Sequence, residues 1–124
     1  MIKSYKDLEV WVIGMELAKE IYKLSGGLPK EELYGITSQI RRAAVSIPSN
    51  IAEGQQRHYR KEFVQFLYQA MGSLAELETQ LILVKELYTL DVNQGLCEKM
   101  DKLGKKLRNL LKTLASHEPQ DTNH

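Results

Sequence analysis

The chain has 124 residues, 43% of them apolar and 27% charged, enough for one hydrophobic core and too few for two. These are ordinary globular values, so a disordered, collagen-like or low-complexity polypeptide is excluded. Seventeen Lys and Arg against sixteen Asp and Glu leave a net charge of +1, which excludes a polycation that coats nucleic acid or anionic membrane by bulk charge, and any basic function is therefore local.

Leu, Lys, Glu and Ala dominate, with three prolines, and point to helices. The first helix is expected to start at Ser4, with Asp7 three residues on as an acidic form of the capping box, and to end at Gly26-Gly27. Its inward stripe reads Leu8, Trp11, Met15, Ala18 and Tyr22. Pro29, followed by Glu31 and Glu32, suits the first turn of a second helix, with the stripe Ile36, Ile40, Ala43 or Ala44, Ile47 and Ile51 and a stop at Gly54. Pro48 removes the amide that would bond to the Ala44 carbonyl, so a kink or break is expected near 45–47.

The third and longest helix is expected over 59–90, with Phe63, Phe66, Leu67, Ala70, Leu74, Leu77, Leu81, Val84 and Tyr88 on one broad face. Asp91 or Asn93 caps a fourth, whose Leu96, Met100, Leu103, Leu107, Leu110 and Leu114 alternate by four and three. The links between helices are short, which forces antiparallel neighbours. The expected fold is all-α, an up-down-up-down four-helix bundle forming one domain over 1–117, with a disordered tail at 118–124.

Lys3, Lys6, Asp7 and Glu9 interrupt any secretory signal, and Val10–Met15 is far short of the roughly 20 apolar residues that cross a bilayer. Cys97 is the single cysteine; it fits a reducing cytoplasm and reads as packing. The expected location is cytoplasmic, with no membrane partner. A bundle enzyme would place Glu and, three residues later, His on inward positions. His58, His117 and His124 have no such partner, no phosphate loop or catalytic triad spacing is present, and Gly14, Gly72 and Gly104 fall singly inside helices. The expectation is a protein without catalytic residues, metal or cofactor.

Charge is zoned along the chain. Over 41–61, Arg41, Arg42, Arg57, Arg60 and Lys61 stand against Glu53, an excess of four. Over 98–112, Lys99, Lys102, Lys105, Lys106, Arg108 and Lys112 stand against Glu98 and Asp101, again an excess of four, whereas 62–91 carries a deficit of four. The cluster Arg57, Arg60 and Lys61 opens a helix, where backbone N–H groups also favour phosphate, and Tyr59 supplies a ring. Lys102, Lys105, Lys106, Arg108 and Lys112 form a secondary basic face, which is a phosphate surface, the solvated flank of the leucine seam, or a partner for the acidic third helix of the same or a neighbouring subunit. Ser46, Ser49, Asn50 and Glu53 make a polar stripe on the second helix, exposed to solvent or packed as a polar helix–helix interface, with Arg57 one turn beyond Glu53.

The run Tyr34–Gly54, YGITSQIRRAAVSIPSNIAEG, resembles the signature of the intervening-sequence protein family of bacterial 23S ribosomal RNA. DLEVW from Asp7 to Trp11, KEFVQFLYQAMGSLAELETQL from Lys61 to Leu81 and the closing leucine helix fit the same family, up to about Ala115. The resemblance implies a left-handed antiparallel bundle similar to the accessory proteins of diversity-generating retroelements, which assemble as barrel-like homopentamers and bind nucleic acid. It places Arg41, Arg42, Ser49, Asn50, Glu53 and Gly54 on the family motif and implies no catalytic residues.

Self-association is also expected from the residues themselves. Val10, Val12, Ile13, Leu17, Ile21 and Leu24 extend the first helix beyond its stripe, and Ile82, Leu83 and Leu87 widen the third. The leading expectation is a non-enzymatic homo-oligomer binding structured RNA or DNA through phosphates, using Arg41, Arg42, Arg57, Arg60 and Lys61. The alternative is an adaptor that docks a reverse transcriptase or a ribosome-associated partner.

Overall fold

Ser4 opens the first structured turn, its Oγ accepting a hydrogen bond from the Lys6 amide at 3.1 Å. That turn is a 3-10 helix, Tyr5–Asp7, closed when the Leu8 amide bonds to the Tyr5 carbonyl. Helix α1, Glu9–Ser25, starts beyond it from Leu8, which caps without a side-chain hydrogen bond. Ser4 therefore caps a separate short turn, a correction to the expected helix start. The computed structural model describes residues 4–116. The tail 118–124, His117 and His124 lie outside the described residues.

The second helix also starts later than expected. Pro29 precedes a 3-10 turn, Lys30–Glu32, and the chain then passes through Gly35, whose φ −114° and ψ −117° lie outside the helical region. α2 follows as Ile36–Gln55, α3 as Arg60–Leu87 and α4 as Gln94–Ser116. Asn93 caps α4, its Oδ1 accepting from the Leu96 amide at 2.8 Å. α3 stops at Leu87 because Tyr88 turns extended, and the Tyr88 hydroxyl donates to the Glu32 carboxylate. That bond is the main reason the Tyr88 hydroxyl loses its proton less readily than an ordinary tyrosine. It ties the end of α3 to the connection before α2.

Each helix packs against its chain neighbour and α1 closes against α4, while among the described residues no Cα atoms of diagonally opposite helices come within 8 Å. Contact register fixes the directions. Along α1 and α2, Gly14 meets Pro48 while Ser25 meets Arg41. Along α2 and α3, Ser46 meets Ser73 while Gly54 meets Phe66. Gly104 meets Leu74, Cys97 shares a cleft with Ile82, and across α1 and α4 Lys106 meets Glu9 while Lys99 meets Glu20. In every pair the numbers rise on one helix as they fall on the other, so the bundle runs up-down-up-down.

The core is filled by Leu17, Ile21, Ile40, Ile47, Ile51, Leu67, Leu77, Leu96, Leu103 and Leu107, all fully buried. α1 presents a different face from the expected one. Val10, Ile13, Leu17 and Ile21 are buried, whereas Trp11 and Met15 are half-buried and Tyr22 is 48% exposed. The surplus apolar surface on α1 is therefore Trp11, Met15, Tyr22 and Val12. On α3 it is Ile82, Leu83 and Leu87, as the sequence indicates.

Of the kink or break expected at Pro48, the break is absent, since α2 is one continuous helix through that residue. Pro48 is buried and packs against Gly14 of α1, where an added Cβ would stand in ordinary contact 3.5 Å from the proline ring. Gly54, expected to stop α2, lies inside it and is buried.

Candidate nucleic-acid interface

The α2–α3 corner is built by close approach. A Cβ on Gly54 would fall 2.5 Å from the Cβ of Phe66, so only glycine lets the start of α3 fold this tightly onto the end of α2. The four connecting residues, 56–59, then lie exposed beyond the helix ends. Arg57 is held from two sides. Its Nη2 donates to Glu53 Oε2 at 2.8 Å, and its guanidinium carbon stands 4.9 Å from the centre of the Phe66 ring. His58 and Tyr59 meet edge to face at 4.7 Å, with Tyr59 65% exposed. Arg60 and Lys61, both exposed, begin α3, whose unbonded first amides add positive character to the corner.

The antiparallel order brings the last turns of α4 to this same end of the bundle. Exposed Lys112 lies toward that end, whereas Lys105 and Arg108, also exposed, flank the middle of α3 in a cleft with Met71, Leu74 and Glu78. Arg108 lays its guanidinium across Gly104 and acts on Glu78 of α3, whose carboxyl is raised above its ordinary range by burial first and by Asp101 second, with Arg108 opposing both. Lys106 is spent differently: its Nζ lies 3.0 Å from Glu9 Oε1. Lys99 lies against Glu16 and Glu20, and the bond to Glu20 is the main reason it holds its proton more tightly than an ordinary lysine. The acids that answer Lys99 and Lys106 are on α1, whereas Arg108 acts on Glu78 of α3. The signal was present as Glu9, Glu16 and Glu20, which recur on one side of α1.

The other predicted basic residues do not join this end. Arg41 sits toward the opposite end of α2, where Nε donates to Ser25 Oγ at 2.8 Å and Nη2 to the Tyr22 carbonyl at 3.3 Å, while the guanidinium carbon stands 4.7 Å from the Tyr22 ring centre. It closes the C-terminus of α1. Arg42 is exposed beside it. The helix between Arg42 and Gly54 rises about 18 Å, so the five basic residues divide into two separate groups. Among the described residues, no group of three or more His, Cys, Asp or Glu is arranged to hold a metal ion, and no helix is long and apolar enough to cross a membrane.

The 23S rRNA-intervening sequence protein family model matches residues 6–114. The chain belongs to this family. A solved structure of a protein of unknown function, from the S23 ribosomal protein family of Bacteroides thetaiotaomicron, superimposes with a TM-score of 0.75 at 26% sequence identity, covering 83% of this chain and 95% of that one. No curated protein matches the chain.

In this intervening-sequence protein the polar stripe of α2 is divided in two. Ser46 and Asn50 are packed: Ser46 Oγ lies 2.8 Å from Ser73 Oγ, and Asn50 Nδ2 donates to the Ser46 carbonyl at 2.8 Å and to Ser46 Oγ at 2.9 Å. The Ser46–Ser73 bond joins α2 to α3, and Asn50 holds Ser46 from within α2. Ser49 and Glu53 are exposed, Glu53 bracing Arg57. Phe66, the ring under Arg57, was legible only as a core residue, and its second role depends on the tight corner at Gly54.

Proposed function

We propose that this intervening-sequence family protein acts by binding rather than by catalysis, as a homo-oligomer holding structured RNA or DNA through phosphates in the cytoplasm. The observation that carries the reading is the exposed cluster Arg57, Arg60 and Lys61 where α2 turns into α3, with Lys112 of α4 toward the same end of the bundle. The family description names 23S rRNA, which makes a structured ribosomal RNA fragment the first ligand to test. Phosphate contacts by these side chains release counterions, so affinity falls steeply with salt. Tyr59, 65% exposed, offers a face for an unpaired base. Self-association multiplies the patch, because copies in one ring bind one ligand together, and five copies is the number that the family resemblance implies.

The test is a titration of labelled structured RNA at low and moderate salt. The parent protein binds at low salt and loses affinity as salt rises, and Arg57→Ala, Arg60→Ala and Lys61→Ala combined removes at least tenfold of that affinity. Absence of binding at low salt, or indifference to the triple substitution, overturns the reading.

A further inference from the structure

We propose that the groove between α1 and α2 is the seat for the apolar ridge Ile82, Leu83 and Leu87 on α3 of a second copy, a proposal that rests on the reading that the chain self-associates. The groove, about 520 Å³, has Pro48 and Ala18 at its base and Trp11, Met15, Tyr22 and Val45 along its sides. Tryptophan, tyrosine and methionine are the residue types that concentrate in protein interfaces. Here the aromatic pair is braced before any partner arrives: Tyr5 stands edge-on to Trp11 at 5.4 Å, and Arg41 covers Tyr22. Such anchors lose little side-chain freedom on binding.

Charge selects the occupant. Exposed Lys19 lines the groove, and exposed Arg42 lies one turn before Val45 on the outward side of α2. The ridge lies on the acidic helix, with exposed Glu86 inside it and exposed Glu76 six residues before Ile82, against the single exposed cation of that stretch, Lys85, so a second copy brings carboxylates to the cations at the rim while Leu83, Ile82 and Leu87 enter the groove. The ridge side chains are 45%, 62% and 62% exposed, respectively. α1 and α3 occupy opposite corners of the bundle, so no chain covers its own groove with its own ridge. Each copy therefore gives its groove to one neighbour and its ridge to another, a heterologous contact that closes as a ring when the rotation allows.

Light scattering on four samples tests this: the parent chain, Val45→Glu, the double variant Leu83→Glu with Leu87→Glu, and a one-to-one mixture of the two variants. All three positions are between 41% and 62% exposed, so the substitutions leave the core alone, which circular-dichroism melts verify. The expected result is an oligomeric parent, association weakened at least tenfold in each variant, and a one-to-one heterodimer in the mixture, where one intact groove meets one intact ridge. A parent that assembles while the ridge variant also assembles fully, or a mixture with no heterodimer, overturns the groove-to-ridge pairing and leaves self-association standing. A parent that stays monomeric at micromolar concentration overturns self-association and the pairing together.

Discussion

Gly54 and Phe66 face each other so closely across the α2–α3 corner that the glycine has no room for a single carbon: an added Cβ would sit 2.5 Å from the Phe66 Cβ and 3.1 Å from Cδ1 of Phe63. The near atom belongs to the root of a helical side chain, so a rotamer change does not relieve the clash. Gly54→Ala gains about 1 kcal/mol in helix propensity, but overpacking costs about 1–3 kcal/mol and also shifts α3. We expect net destabilisation in urea titrations, with RNA affinity falling alongside because Arg60 and Lys61 move with α3.

Arg41 and Arg57 look alike in the sequence and differ in the structure. The bonds from Arg41 to Ser25 and Tyr22 hold the end of α1, so Arg41→Ala is expected to cost about 1–2 kcal/mol of stability with little change in RNA affinity. Arg42→Ala, at an exposed position, is expected to leave stability within about 0.5 kcal/mol. Thermal melts of the two variants beside RNA titrations check the contrast, and equal melting temperatures would refute it.

The fold was legible because α3 and α4 carry one long inward pattern each, and short links leave an antiparallel bundle as the simple arrangement. α1 was not legible to the same degree, since Val10, Ile13, Leu17 and Ile21 compete with Trp11, Met15 and Tyr22 for the inward face, and period alone does not choose between two apolar stripes. Packing chose the stripe nearest Gly14, where α2 approaches, and left the aromatics outside. The basic corner at Arg57, Arg60 and Lys61 was readable from local charge. The nearness of Lys112 to that corner was not, because it depends on which helix ends meet, and neither was the placing of Lys105 and Arg108 beside the middle of α3.

Glu78 gives a pH signature to the α3–α4 seam. Burial, then Asp101, raises its carboxyl above the ordinary value of 4.5, against the pull of Arg108. The fold thus holds the protonated form more tightly than the unfolded chain does. The stability from this group is full below the unfolded value and is lost as pH rises through the folded value. At neutral pH its charge is a net cost, so Glu78→Gln is expected to raise the melting temperature by about 1–3 °C near pH 7, with the gain vanishing below the ordinary carboxylate range. A gain that persists in acid would place its origin elsewhere.

Glu53 restrains the very side chain proposed to meet phosphate. Its carboxylate accepts from Arg57 at 2.8 Å, and the two side chains are 57% and 43% exposed, respectively. An exposed pair of this kind contributes less than about 1 kcal/mol to stability, so removing its charge leaves the fold intact. Glu53→Gln deletes the acid of the 41–61 segment and leaves Arg57 stacked over Phe66 with its charge available. We expect RNA affinity to rise about two- to fivefold at low salt, and the slope of log affinity against log salt to steepen by up to about 0.9, the value of one further phosphate contact. Combining it with Arg57→Ala separates the two origins of the gain: the steeper slope disappears when Arg57 is absent, and any rise that remains reports only the lost repulsion. If Glu53→Gln weakens RNA binding while the melting temperature holds, the ion pair itself positions Arg57 for the ligand, and the corner binds through the braced guanidinium.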